Sequence, residues 1–427
     1  MLITQYRLDL AILALRGILP LEHPADTTLR YFFQQERIGS NERAFVAETV
    51  FGTLRHRLLL EHTCVDKATP RRMALAYLVR FGGYNLREIE PVLQRDEKDW
   101  LATVKGVQLD TLPLSVQAEL PEWLVEKMRV SYSDEDILTI GRSMQQGAPL
   151  DIRVNTLLAK RDEVLQKLQE QKIEASLTPY SPVGIRLKEK IPLNKDDLFT
   201  EGKVEVQDEG SQLLGLLLAP KRSDMVVDFC AGAGGKTLML SAVMNSQGRL
   251  YAMDVSEKRL ANLKPRLKRS GASNIQPMLI AHENDLKVKR LSGKIDRVLV
   301  DAPCSGLGTL RRNPDLKFRQ SPQSLEELKQ KQSAILASAS RLVKKGGRLV
   351  YATCSILPEE NQDIVQAFLA ANPDFVLVPA GVVLQQQKVA LEMGDYLELR
   401  PHLHNTDGFF AAVMERSNAA VTSKTVE

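Results

Sequence analysis

Cysteine is scarce in this chain: 427 residues carry four, Cys64, Cys230, Cys304 and Cys354, with no Cys-x-x-Cys spacing among them. That scarcity excludes a disulfide-stapled scaffold and a cysteine zinc site, and it fits a reducing compartment, so a cytoplasmic location is expected. Long apolar runs are missing as well. The longest, Leu213 to Ala219, falls far short of the roughly 20 residues a membrane helix needs. The first ten residues interrupt their apolar stretch with Arg7 and Asp9 and offer no small-residue cleavage pattern, which argues against a signal peptide. An excess of one charge is also lacking. Lys plus Arg number 57 against 53 Asp plus Glu, a net +4 that permits a nucleic-acid partner without demanding one. The expectation is a soluble, metal-free protein with no need of more than one copy.

The length predicts two or three domains. From Leu8 to about Met144 apolar residues recur at helical spacing, as in Val46, Val50 and Leu54 or Leu75, Leu78 and Val79, with Ser40 or Asn41 available as a cap. Arg55, His56, Arg57, Arg71 and Arg72 offer a basic face, or simply a solvated one. Leu150–Asn155 then alternates like a strand, Arg161–Lys172 reads as a short helix and Gly184–Leu187 as another strand, together a small α+β module. From Asp224 strands and helices alternate. Strands are expected at Met225–Phe229, Gly248–Met253, Ile275–Ile280, Asp296–Val300, Arg348–Ala352 and Phe409–Met414, and a long helix at Ser324–Val343. Such alternation predicts a parallel sheet covered on both faces.

The turn Gly232-Ala-Gly-Gly-Lys236 stands between a strand and a helix, where backbone N–H groups and a helix start can face a ligand. A phosphate loop would need glycine at Cys230, and a dinucleotide fingerprint would need glycine or alanine at Thr237. Asp254 closes the following strand about 20 residues on, at the position where a carboxylate accepts ribose hydroxyls; capping of the next helix is its other reading. Turn and acid favour an adenosine-bearing cofactor. Cys304 and Cys354 each end a strand pattern instead of lying inside one, in Asp301-Ala-Pro-Cys304 and Thr353-Cys354-Ser355. Two thiols at the carboxyl edge of one sheet, beside a cofactor turn, point to covalent catalysis.

In these segments the chain resembles the cytosine-5 RNA methyltransferases of the RsmB/NOP/NSUN group. The matching residues are Asp228-Phe-Cys-Ala-Gly-Ala-Gly-Gly-Lys-Thr237, Asp254, Asp301-Ala-Pro-Cys-Ser-Gly306, Arg311-Arg-Asn-Pro-Asp315, Tyr351-Ala-Thr-Cys-Ser355, Pro358-Glu-Glu-Asn361 and Asp407-Gly-Phe-Phe410. Through Asn41-Glu-Arg-Ala44 and Val50–Arg55 the helical region is similar to the NusB-like RNA-binding domain that the bacterial branch carries in front. One departure is Ala233, where the group often has proline.

The resemblance implies a multidomain chain: a NusB-like helical domain over 1–145, a small α+β RNA-binding module over 146–205, and a Rossmann-like class I methyltransferase domain over 206–417. The tail 418–427 reads as disordered. It implies S-adenosylmethionine as cofactor, held by Cys230, Ala231, Gly232, Ala233, Gly234, Gly235, Lys236, Asp254 and Asp301. His282-Glu-Asn-Asp285 stands where a further acid is expected, so the carboxylate near the adenine is Glu283 or Asp285. It implies Cys354 as nucleophile, Cys304 as the thiol assisting release, and Asp301 on the cytosine edge with Lys236 supporting it. The implied partner is RNA, small-subunit ribosomal RNA above all, and Arg311, Arg312, Lys317 and Arg319 are placed to hold its phosphates. An amino-group methyltransferase is a competing reading, although Cys304 stands where such sites usually carry an aromatic residue. A non-catalytic RNA-binding or assembly factor is another, against which the retained thiols and Asp301 speak.

Overall fold

Thr4 accepts the Arg7 N–H and starts the helix Gln5–Ile18, whose Leu8, Ala11, Leu15 and Ile18 fall on one face and are buried. This computed structural model describes residues 3–64, 67–189 and 191–418. Apart from Asn418, the tail expected to be disordered lies outside them. The chain divides into two compact units, Met1–Gly147 with Thr309–Pro322, and Ala148–Gly308 with Gln323–Glu427.

The first unit is helical throughout. Helix Ser40–Arg55 buries Val46, Val50 and Leu54 fully, as the spacing predicts. Its cap is Gly39, not Ser40 or Asn41, and no side chain closes it. Thr69 caps Pro70–Arg80, where a proline fits the first turn because its missing N–H has no helical partner there.

Among the described residues, those offered as a basic or a solvated face are engaged with neighbouring side chains. Arg71 pairs with Glu97 at 2.7 Å, Arg57 with Glu61 at 2.7 Å, and the Arg72 guanidinium lies 5.2 Å over Trp100. His56 stacks on Phe81 at 3.7 Å, and burial, with Lys317 and Arg55 adding, drives it down to about 3. Arginine on a helix surface pairs with carboxylates, carbonyls or rings wherever packing offers them.

Residues 309–322 correct a second expectation. Arg311 and Lys317, expected to hold phosphates, are each only 3% exposed. Lys317 Nζ donates to the carbonyls of Arg55 at 2.8 Å and Glu119 at 2.7 Å and lies 3.5 Å from the Glu119 carboxylate. Arg55 Nη2 donates to the Arg311 carbonyl at 3.0 Å, and Asp315 accepts the Ala25 N–H at 3.2 Å. These charges fasten the segment to the helices. Burial pushes Lys317 down and Glu119 up, each toward its neutral form. Glu119→Ala strands the buried ammonium and is expected to cost about 3 kcal/mol. Urea unfolding of the variant measures it, and a midpoint equal to wild type overturns it.

In the second unit, strands β1 (Leu150–Val154), β2 (Ala175–Leu177), β3 (Gly184–Leu187) and β4 (Val204–Val206) form an antiparallel sheet in the order β2-β3-β1-β4. Helix Arg161–Glu170 packs Val164 and Leu168 into its core. The larger sheet holds β5 (Met225–Asp228), β6 (Arg249–Asp254), β7 (Ile275–Leu279), β8 (Ile295–Asp301), β9 (Val343–Thr353), β10 (Phe375–Val378), β11 (Tyr396–Leu399) and β12 (Phe409–Arg416). Its order is β10-β12-β9-β8-β5-β6-β7, with β11 also on β12.

Only β7, β6, β5, β8 and β9 are mutually parallel; β12 runs antiparallel to β9, β10 and β11. The sheet is therefore mixed, not parallel. Strand β9 starts at Val343 and the preceding helix stops at Ser340, because Val343 pairs with Ile295 across a register shift. Buried side chains cover both faces, Leu238, Leu250, Leu299 and Val350 on one, Val227, Val298, Tyr351 and Phe410 on the other. From β5 the chain adds strands outward on one side, then returns to place β8 on the other. The carboxyl ends of β5 and β8 flank that reversal, where open α/β sheets bind ligands.

Candidate active site

After β5 the chain turns through Gly232 (φ +56°) and Gly234 (φ +82°) into helix Gly235–Val243. A side chain at Gly234 would reach within 2.2 Å of Leu263, so packing demands glycine there. At Gly232 a Cβ would meet nothing within 4 Å. Glycine leaves an open cradle at that point, against which a ligand can lie close to the backbone. The Asp254 carboxylate accepts the Gly232 N–H at 2.8 Å and the Ser256 N–H at 2.7 Å. It shapes the turn, while the helix cap proper is Ser256. Two arginines hold the turn's carbonyls: Arg266 donates to Ala233 at 2.7 Å and Arg153 to Gly235 at 2.9 Å. Arg266 and Arg269 also share Glu205, at 2.9 and 2.7 Å.

Asp285 accepts the N–H groups of Ala281 and Lys287, both at 2.8 Å, and those backbone bonds lower its carboxyl below the ordinary range. The Glu283 carboxylate takes the Asn284 amide at 2.9 Å.

Asp228 is buried, with one oxygen on the Thr237 hydroxyl at 2.7 Å and the other without a partner. Desolvation raises it to about 7, the Thr237 bond opposing and the Asp301 charge adding. A carboxyl raised in the native state binds its proton more tightly there than when unfolded. Stability from this group is therefore present in acid and falls as pH rises. The expected loss is roughly 4 kcal/mol between pH 4 and pH 7. Asp228→Asn keeps an acceptor for Thr237 and cannot ionise, so denaturant unfolding at several pH values should show that loss in wild type alone. Equal slopes would refute it.

The register of β8 and β9 explains why the thiols meet. Asp301 lies opposite Ala352, and the Ala302 N–H bonds the Ala352 carbonyl at 2.8 Å. Cys304 follows Asp301 by three positions and Cys354 follows Ala352 by two, each just past the end of its strand, β8 and β9 being parallel neighbours. Their sulfurs stand 3.3 Å apart, and the Cys354 N–H points at Cys304 Sγ, also at 3.3 Å. Both are partly accessible. The hydrogen bond with Cys354, then burial, then the charges of Cys354 and Glu360 raise the Cys304 thiol well above its usual value. Lys236 Nζ donates to Asp301 at 2.8 Å. Burial pulls that ammonium down, but the Asp301 carboxylate outweighs it and holds the lysine above its ordinary value. Cys230 is pushed up by desolvation and then by Asp301.

The residues that hold the loops carry no role legible in the sequence. The Tyr351 hydroxyl donates to the Glu360 carbonyl at 2.7 Å, the Thr353 hydroxyl to Asn361 at 2.5 Å, and the Asn361 amide to the Ser355 carbonyl at 3.0 Å. The Gly308 N–H bonds the Cys354 carbonyl at 2.8 Å. Among the described residues no group of three or more His, Cys, Asp or Glu side chains is placed to hold a metal, and no helix is long and apolar enough to cross a membrane.

A mixed sheet reversing at its centre, with a glycine turn after one central strand and an acid closing the next, defines a Rossmann-like domain whose switch point suits a nucleoside-bearing ligand. Comparison with known proteins narrows the class. The family model described as 16S rRNA methyltransferase RsmB/F matches residues 215–415, and that of the RsmF/B-like ferredoxin-like domain matches 120–194. The probable ribosomal RNA small subunit methyltransferase B of Synechocystis is 30% identical over 96% of this chain and 99% of its own. The chain belongs to the RsmB/F methyltransferase family. Among solved structures, that of PH0851 superposes with a TM-score of 0.78 at 26% identity, covering 97% of this chain and all of its own. The NSun6 structure from Pyrococcus horikoshii, solved with SFG, shares the fold at a TM-score of 0.62 and 20% identity over 70% of this chain and 99% of its own.

Proposed function

We propose that the protein is an S-adenosylmethionine-dependent RNA cytosine-5 methyltransferase acting on 16S ribosomal RNA in the cytoplasm. The reading rests on one observation: two thiols 3.3 Å apart at the carboxyl ends of adjacent parallel strands, beside an aspartate held by a lysine. A single pyrimidine ring can meet both. The cytosine-5 carbon is a poor nucleophile, and thiol addition to the adjacent carbon 6 is the chemistry that activates it.

The Cys354 thiolate adds to carbon 6 of cytosine, and the displaced ring electrons move toward N3 and carbon 5. Asp301, fixed by Lys236, hydrogen-bonds the base edge and favours protonation at N3. When bound, S-adenosylmethionine supplies an electrophilic methyl group. The Cys304 thiolate then takes the proton from carbon 5, the electrons of that C–H bond restore the ring double bond and expel Cys354 as thiolate, and N3 returns its proton to leave neutral 5-methylcytosine. The cofactor set is the turn Cys230–Lys236, with Asp254 for the ribose, Asp301, and the loop carrying Glu283 and Asp285, with Asp285 as the assigned acid. Two features of the chain fit such a group: the open space beside Gly232 and the buried Asp254 carboxylate at its rim; the NSun6 structure that shares the fold was solved with SFG.

A target base must leave its stack to reach a partly buried thiol, so looped or single-stranded RNA is the expected substrate. The helical unit, which we read as NusB-like, supports an RNA partner. An open groove of about 470 Å³ there is lined by Arg30, Phe33, Gln34, Arg37 and Arg43, and the Arg43 guanidinium lies 5.8 Å over the Phe33 ring. Cations for phosphates and a ring for base stacking are the usual elements of single-strand recognition. In residues 309–322, Arg319 stands 3.6 Å from Asp315, and with Arg312 it is the remaining candidate for phosphate contact.

The test is direct. Small-subunit RNA treated with the protein and methyl-labelled cofactor, digested to nucleosides and resolved by mass spectrometry, should yield 5-methylcytidine. A label on an exocyclic amino group would overturn the assignment, and no label at all would favour a non-catalytic assembly factor.

A further inference from the structure

We propose that Glu360 is a positioning residue that clamps the two thiol-bearing loops together and sets the spacing of Cys304 and Cys354. This rests on the proposed thiol chemistry and goes one step past it.

The carboxylate is fully buried, at 0% exposure. A buried carboxylate persists only where donors surround it, and here the donors come from both loops. Oε1 accepts the backbone N–H of Ser305 at 2.8 Å and the Gln332 amide at 2.9 Å. Oε2 accepts the Ser305 hydroxyl at 2.5 Å and the Ser355 hydroxyl. Ser305 follows Cys304 directly, and Ser355 follows Cys354. Gln332 also donates to the carbonyl of Pro303, the residue before Cys304, at 3.0 Å. A single side chain therefore grips the residue after each thiol, and its amide partner grips the residue before one of them. Glu360 acts through backbone placement, and beyond that as a negative charge near Cys304. The thiols' other titratable neighbours include each other, Tyr351, Lys236 and the Asp301 carboxylate that Lys236 holds.

Two substitutions in the full-length protein separate the clamp from the charge. Glu360→Gln can keep a carbonyl toward the Ser305 N–H and Gln332 while its new amide donates to the two serine oxygens. Glu360→Ala loses every bond. Displacement of reacting groups by about 1 Å costs on the order of 100-fold. For Glu360→Ala we expect kcat to fall by about that factor with KM for S-adenosylmethionine unchanged, and for Glu360→Gln we expect recovery of most of it. Glu360→Gln should also shift the kcat–pH limb belonging to the thiol pair toward lower pH, since removing a negative neighbour favours the thiolate. A purely structural glutamate would not move that limb.

A second readout needs no methyl transfer. Phenylarsine oxide bridges two neighbouring thiols, and should bind wild type and Glu360→Gln but not Glu360→Ala. Arsenical binding retained by Glu360→Ala, or failure of Glu360→Gln to recover most of the kcat lost in Glu360→Ala, overturns the clamp. If wild type makes no 5-methylcytidine yet the arsenical pattern holds, the function reading fails and the clamp stands.

Discussion

Cys354→Ala is expected to abolish methyl transfer to RNA while leaving the cofactor's affinity unchanged. Loss of a covalent nucleophile costs on the order of 10⁴-fold or more in kcat, since what remains is binding without a route to the activated ring. Affinity for S-adenosylmethionine survives because the cofactor turn is held from elsewhere: by Asp254 on Gly232, by Arg266 on Ala233 and by Arg153 on Gly235. Folding survives too, because a partly accessible thiol leaves only a small gap when replaced by a methyl group. Cofactor binding by calorimetry and label incorporation into small-subunit RNA measure the two halves. Normal methylation by this variant would remove covalent catalysis by Cys354 and return the amino-group reading to contention.

Cys304→Ala gives the opposite phenotype, with product accumulating on the enzyme. Cys354 still adds to carbon 6 and the methyl group still transfers, but nothing takes the proton from carbon 5. Elimination stalls, and the RNA stays joined to Cys354 through a carbon–sulfur bond. A denaturing gel should show a retarded protein–RNA band carrying label at no more than one methyl per protein, absent from wild type and from the Cys304→Ala/Cys354→Ala double variant. Once Cys354 is bonded to carbon 6, its hydrogen bond and charge no longer raise the Cys304 thiol, so Cys304 ionises more readily at this step and can accept the carbon-5 proton as a thiolate. Turnover by Cys304→Ala at the wild-type rate without a band would exclude this role.

Much of the site was legible before the fold was known, because its residues are local in sequence. The glycine turn, Asp254 and the two strand-end cysteines each carry their own turn chemistry. Pairings were not legible. Period-2 alternation reports that a strand is buried, and says nothing of the direction of its neighbour, so the antiparallel β12 read the same as the parallel β9. Strands β10 and β11, four residues each, are too short to stand above the background. Arg311 and Lys317 looked like phosphate contacts because they follow the Pro-Cys loop, yet both are buried in the helical unit, where Lys317 donates to the Arg55 carbonyl. A side chain's charge is written in the sequence, while its exposure is a property of what packs over it.

By itself, the sequence determined which chemistry is available: two thiols at strand ends, a glycine turn open to a nucleoside, and carboxylates at the edges where ligands sit. Only tertiary structure decided that β8 and β9 are neighbours in parallel register, and so that sulfurs fifty residues apart in the chain lie 3.3 Å apart in space. The physical reason is that backbone turns follow from a few adjacent residues. Strand order and the burial of Glu360, Arg311 and Lys317 instead follow from the whole chain satisfying its apolar area and hydrogen bonds at once.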